Sequence, residues 1–173
     1  MTAPEAEVVR SRREVYVPAW LIASTLLLSL VGLGISIYLT IEHYDTKLSL
    51  SCPNTGKINC AKVTTSIYSK LFGVPVALLG LLFFVGMVVM CLPWLWRMLW
   101  LRWVRIAAVS IGVLFIARLV WAEFFRINAI CLWCTSVHIL TLVLFVLVVL
   151  GSTYITVLDP LDPLDDDEDA SAA

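Results

Sequence analysis

Five cysteines are the residues of this 173-residue chain best suited to chemistry: Cys52, Cys60, Cys91, Cys131 and Cys134. Cys131-Leu132-Trp133-Cys134 opens a long apolar run. A C-x-x-C at a helix start has a defined use. The N-terminal end of a helix carries partial positive charge, which favours a thiolate. Two intervening residues let the thiols close a small disulfide that exchanges readily with other thiols. Cys52 and Cys60 stand in a more polar segment, seven residues between them, where a soluble protein can meet them. Two thiol pairs at different depths make a relay for electrons. Two structural disulfides would have the same composition, so that reading stays open here. Four thiolates on zinc fit less well, because C-x7-C is long for a zinc knuckle and the other pair sits at membrane depth. Cys91 stands alone and reads as an inert apolar filler.

The elements that must position these thiols are membrane helices. Apolar residues make up 61% of the chain and charged residues 14%, against roughly half and a quarter in soluble domains. The excess lies in four runs, at about residues 19–40, 71–92, 103–125 and 130–154. The first is uncharged, and at ~1.5 Å rise per residue it matches the ~30 Å hydrocarbon core. It is too long for the apolar part of a signal peptide and lacks a small-x-small cleavage site. The second is ended by Pro93. The third carries Arg118 and Glu123 in its last part, expected to pair or to snorkel to an interface. The fourth has His138 as its one ionisable group. Trp94, Trp96, Trp100 and Trp103 read as an interfacial aromatic belt. No phosphate-binding loop and no basic-aromatic nucleic-acid pattern is visible in the sequence.

Arginines set the expected orientation. Arg10, Arg12 and Arg13 precede the first run, and Arg97, Arg102 and Arg105 lie between the second and third. Both clusters are expected on the cytoplasmic side, with both termini inside and the loop 41–70 outside. Lys47, Lys57, Lys62 and Lys70 in that loop weaken the charge contrast without reversing it, Glu42 and Asp45 being its acids. The four paired cysteines then share the oxidising side, and Cys91 falls at an inner helix end. The expected organisation is a cytoplasmic segment 1–16, a membrane domain 17–156 and an acidic, disordered cytoplasmic tail 157–173.

Residues spread over most of the membrane domain carry a resemblance. They are Cys52-x7-Cys60, Ser66 six positions on, the stretch Leu71-Phe72-Gly73-Val74-Pro75-Val76-Ala77-Leu78-Leu79-Gly80, and Cys131-Leu132-Trp133-Cys134. In this order, with four apolar runs, the chain resembles the vitamin K epoxide reductase family, in its bacterial disulfide-generating branch. The resemblance implies an all-α, four-transmembrane-helix bundle around a quinone pocket, capped by the outer loop with a short helix near Cys60–Tyr68. It implies a bacterial plasma-membrane location, a redox centre at Cys131 and Cys134 with Cys134 facing the quinone, and a shuttle pair at Cys52 and Cys60. Cys60 would exchange with Cys131, and Cys52 would receive electrons from a DsbA-like, thioredoxin-fold thiol protein. Menaquinone, ubiquinone or a related quinone would be the final acceptor, with no metal. The expected quinone contacts are His138, Ser66, Ser69 and Phe72.

Two positions depart from the vertebrate pattern. His138 stands where a Tyr follows the C-x-x-C by four residues, and Ser69 aligns with an Asn. Both departures bear on epoxide reduction and leave quinone reduction intact. His138 lies one helical turn past Cys134 and could donate to a quinone oxygen, or merely bond a neighbouring helix. Many bacterial members are fused to a thioredoxin-like domain. After the fourth run this sequence leaves no room for one, so the partner is expected to be a separate protein. The function expected is thiol:quinone oxidoreduction. The alternatives are a vitamin K epoxide or naphthoquinone reductase proper and a membrane scaffold with structural disulfides.

Overall fold

The computed structural model describes residues 17–45, 52, 55–71, 73–96 and 98–157. Its elements are α1 (Ala19–Tyr44), α2 (Cys60–Thr64), a 3-10 turn (Ile67–Ser69), strands β1 (Lys70–Leu71) and β2 (Val74–Pro75), α3 (Val76–Met90), α4 (Pro93–Trp96), α5 (Leu99–Ala122), a π-helical turn (Glu123–Ile127) and α6 (Leu132–Val157). The protein is an all-α membrane protein. Segments Ala19–Tyr44, Trp100–Ile127 and Leu132–Thr153 are long and apolar enough to cross a bilayer. The apolar α3, with 15 residues, spans only about 22 Å. The four apolar helices close a ring: α1 packs on α3 and α6, and α5 packs on α6 and α3.

Small residues let α1 fit into this ring. Its buried positions are Leu21, Thr25, Ser29, Gly32, Ser36 and Leu39, stepping by three or four along one face. Thr25 and Ser29 donate to the carbonyls of Leu21 (2.8 Å) and Thr25 (2.7 Å), so their hydroxyls need no partner on another helix. The fully buried Phe84 ring occupies the space a side chain at Gly32 would need. Close approach over small residues is the usual way helices associate in lipid, where no contrast in hydropathy drives them together.

Several predicted boundaries move. The second helix starts at Val76 rather than near residue 71, because Lys70–Pro75 forms an antiparallel hairpin with Lys70 opposite Pro75 and Leu71 opposite Val74. Gly73 takes φ +83° in its turn, a conformation open to glycine, and Pro75 holds Val74 extended. The expected short helix from Cys60 to Tyr68 is split into α2 and the 3-10 turn. The third helix begins earlier, at Leu99, and continues through the π-helical turn to Ile127. The fourth begins at Leu132. Phe72, Arg97, Arg10, Arg12, Arg13, Lys47 and the acidic tail lie outside the described residues.

One end of the bundle is closed by Arg105, an expected topology signal that turns out to be a packing element. It is 1% exposed. Its Nη1 donates to the carbonyls of Met90 (3.1 Å) and Leu95 (3.3 Å), and its guanidinium lies 4.0 Å from the Trp96 ring. Met90 ends α3, so at its carbonyl the cation meets a group that has no partner within the helix. Trp96 is therefore buried beneath Arg105 rather than part of an aromatic belt, whereas Trp94, Trp100 and Trp103 remain exposed. Cys91 is fully buried beside Ser29, its sulfur 4.0 Å from the Ser29 hydroxyl.

Candidate functional site

Backbone hydrogen bonds dock the loop cysteines against the C-x-x-C. Asn59 caps α2, its Oδ1 accepting from the Lys62 N–H at 2.9 Å. The Asn59 N–H donates to the Ile130 carbonyl (3.1 Å), and the Ile130 N–H donates to the Lys57 carbonyl (2.9 Å). The residue before Cys60 is thereby tied to the residue before Cys131. Cys60 and Cys131 are both buried, in one cluster with Val63, Ile127 and Ala129, and Cys52, Trp133 and Cys134 pack against it. Cys52 and Cys60 form a disulfide, their Cα atoms 6.2 Å apart. Trp133 rests on Tyr38 of α1, ring centroids 5.0 Å apart, which holds the C-x-x-C against the bundle.

Cys131 and Cys134 are free thiols. The Cys134 backbone N–H lies 3.4 Å from the Cys131 sulfur. A hydrogen bond from the Cys134 thiol holds Cys131 below the usual thiol range, outweighing burial, which pushes it up. Cys131 is thus the more acidic thiol of the pair, the one that gives up its proton more readily to become the nucleophile of disulfide exchange.

Behind Cys134 a cavity of about 300 Å³ opens between the helices, at the lower end of small-molecule sites. Its wall is mostly apolar, with Leu39, Phe83, Phe84, Ile111, Phe115 and Leu119 among the lining residues. Of the residues singled out in the sequence, Cys134, His138, Ser66 and Ser69 lie on this wall. Cys131 and Cys60 are not on this wall but share the buried cluster against which Cys134 packs. The Ser66 and Ser69 hydroxyls donate to the backbone carbonyls of Val63 (2.8 Å) and Ser66 (2.7 Å), so towards the cavity they present lone pairs. His138 is 7% exposed, and its imidazole makes no hydrogen bond among the described residues. Its N–H is a donor available to whatever fills the cavity.

Arg118 and Glu123 do not pair, and Glu123 does not turn outward. Arg118 is exposed, while Glu123 is 5% exposed and lines the cavity. The π-helical turn is the reason. Its wider turn brings Ala122, Glu123 and Ile127 to the buried side, and the Ala129 N–H closes it on the Glu123 carbonyl (3.3 Å). Sequence reasoning also passed over His43 and Tyr68, both on the cavity wall. The signal for His43 was present: with Glu42 it is one of two ionisable groups at the end of a largely apolar spanning helix.

Fold and site together define a membrane protein with an exchangeable dithiol at the edge of an apolar cavity, a second thiol pair docked behind it as a disulfide. The vitamin K epoxide reductase family matches over residues 23–149. The chain belongs to that family. No curated protein matches it closely. Membership makes it a membrane oxidoreductase of a family associated with quinone-linked redox chemistry. The cavity suits a quinone ring: a largely apolar wall with two neighbouring phenylalanines, the buried His138 imidazole as a donor, and a thiol at its edge.

Proposed function

We propose that the protein is a thiol:quinone oxidoreductase that generates disulfides on the outer face of a bacterial plasma membrane, with both termini in the cytoplasm. The observation that carries this reading is the placement of Cys134 on the cavity wall, packed against a buried cluster that holds both Cys131 and Cys60.

A thiolate of a reduced thioredoxin-fold partner attacks Cys52, and the partner's second thiol releases itself as a disulfide, leaving Cys52 and Cys60 as thiols. Cys60 then attacks Cys131 of the oxidised C-x-x-C, and Cys134 leaves as thiolate. Cys52 resolves the mixed disulfide, which restores Cys52–Cys60 and frees Cys131. Each step is thiol–disulfide exchange. When bound, a quinone supplies the two-electron acceptor that returns Cys131–Cys134 to the disulfide. The chain's own part is to hold Cys134 at the cavity, exclude water with the apolar wall and offer the His138 N–H. A scaffold with two structural disulfides fits less well, since it has no use for an apolar cavity with Cys134 and His138 on its wall.

The test uses the purified full chain in lipid nanodiscs. A reduced thioredoxin-fold oxidase is expected to drive reduction of menaquinone or ubiquinone. Cys131→Ala and Cys134→Ala should abolish it while the protein elutes as folded. Near-normal turnover in either variant would show that the redox centre lies elsewhere.

A further inference from the structure

Closing Cys131–Cys134 releases two electrons and two protons, and a quinone accepts two of each. Cys134 lies on the cavity wall, but Cys131 does not. Fully buried in the apolar cluster with Cys60 and Ile127, Cys131 has no route for its proton through water. The electrons can pass through Cys134, but the Cys131 proton needs a carrier.

Glu123 meets the requirements. Its carboxyl lines the cavity, is 5% exposed and is close enough to act electrostatically on both thiols. It makes no hydrogen bond or ion pair among the described residues, so it is not held by a structural partner. A lone carboxyl at such depth is costly to a membrane protein, and groups of this kind commonly serve in proton transfer. The π-helical turn that aims it inward is a departure from regular α-helix of the kind that accumulates at functional sites. The same turn brings Ile127 against Cys131, so one local distortion positions both the carboxyl and the packing around the thiol. The other titratable groups facing this cavity are His43 on α1, Tyr68 on the loop, and Cys134 and His138 on α6. The α3 wall carries no charged residue. Glu42 acts electrostatically on Cys134 but does not line the cavity. His43 lies half-exposed, and His138 is on the wall one turn beyond Cys134. Glu123 is the cavity-lining carboxyl among the described residues.

We propose that Glu123 carries the proton released by Cys131 to the quinone as the Cys131–Cys134 disulfide forms. The proposal rests on the quinone-reductase reading. In the step, the S–S bond forms, the two S–H bonds break and two electrons leave through Cys134. One proton comes from Cys134 directly. The other passes from Cys131 to the Glu123 carboxylate and from Glu123 to the reduced acceptor, so the carboxyl returns to its starting state and the two-proton, two-electron balance is kept.

The experiment has two readouts. In the first, fully reduced wild-type protein, Glu123→Gln and Glu123→Asp are mixed with menadione in single turnover across a pH series. The wild type must reduce menadione. If it does not, the quinone-reductase reading fails, and the failure is attributed there. Given wild-type activity, Glu123→Gln is expected to slow the step by about 10²-fold or more without raising the menadione concentration for half-maximal rate. It should also lose an ionisation limb of the pH profile. Glu123→Asp should recover part of the rate and shift that limb. The second readout needs no quinone. Infrared difference spectra between dithiol and disulfide states, with diamide as oxidant, should show a carboxyl band that is missing in Glu123→Gln and shifted in Glu123→Asp. Should Glu123→Gln fail to fold, the Glu123→Asp limb and band decide alone. A Gln variant within threefold of wild type, a loss confined to half-saturation, an unmoved limb in Asp, or a difference spectrum without the band would each overturn the proposal.

Discussion

Replacing His138 by leucine separates a donor that only binds the acceptor from one that stabilises developing charge on it. The substitution is nearly neutral in volume, and the imidazole makes no hydrogen bond within the described residues that its loss would leave unpaired. It is also buried, so no water replaces the N–H that is removed. Ser66 and Ser69 donate to backbone carbonyls, so neither compensates without breaking its own bond. Loss of a donor aimed at a developing oxyanion costs about 2.7–4 kcal/mol, or roughly 10²–10³ in rate. Loss of a bond that serves only binding costs nearer ~1 kcal/mol, about fivefold in affinity. The assay is single-turnover quinone reduction by pre-reduced protein over a range of quinone concentration. Disulfide state is followed in parallel by alkylation and gel shift. His138→Leu is expected to lower the saturating rate by about 10²-fold and to leave exchange between Cys52–Cys60 and Cys131–Cys134 at its wild-type rate. His138→Tyr should restore part of the rate, since a phenol can donate from the same turn. If His138→Leu matches wild type in both rate and half-saturation, the imidazole is a packing residue. If loop exchange slows equally, the substitution has disturbed the fold, and the donor argument fails as stated.

Two further outcomes follow from the fold. Cys91 is fully buried and will not report its own side, so topology is better read with single cysteines introduced at exposed positions. An impermeant maleimide is expected to label Lys57→Cys in intact cells and to spare Trp94→Cys until the cells are opened; the reverse pattern would invert the orientation. Arg105→Met should destabilise the bundle by about 2–4 kcal/mol, since two carbonyls lose a charged donor and the contact with Trp96 is lost. Arg105→Lys should recover only part, lacking a plane to stack on the ring. Thermal aggregation in detergent measures both, and a Met variant as stable as wild type would remove Arg105 as the closure of that end.

Much of the site could be read directly from residue types. A C-x-x-C before an apolar run, a second cysteine pair in a polar loop, and His138 one turn past Cys134 name chemistry by themselves, and the structure gathers Cys134, His138, Ser66 and Ser69 on one wall. Run length was equally legible, because a bilayer sets how many apolar residues a helix needs. The second helix was overcalled because apolar character continues through Leu71–Pro75, while Gly73 and Pro75 impose an extended hairpin there.

The facing of each helix was decided only by tertiary structure. In lipid both sides of a helix are apolar, so hydropathy carries little contrast between buried and exposed faces. The stripe from Leu21 through Gly32 to Leu39 becomes the inside of α1 because Phe84 needs the space at Gly32. The same limit hid Glu123. On a regular helix its direction could not be read from spacing, and the π-helical turn that faces it into the cavity is held by the Asn128 and Ala129 N–H groups, which both donate to its carbonyl. Arg105 and Trp96 looked like surface residues by type, and became interior ones because the Met90 carbonyl at the end of α3 lacks a helical donor and the guanidinium that reaches it also meets the Leu95 carbonyl and the Trp96 ring. The sequence by itself determined the span lengths, the thiol pairs and their order along the chain. The meeting of Cys60 with Cys131 was settled by the backbone bonds between Lys57, Asn59 and Ile130, because peptide groups pair by geometry and carry no residue-type signature.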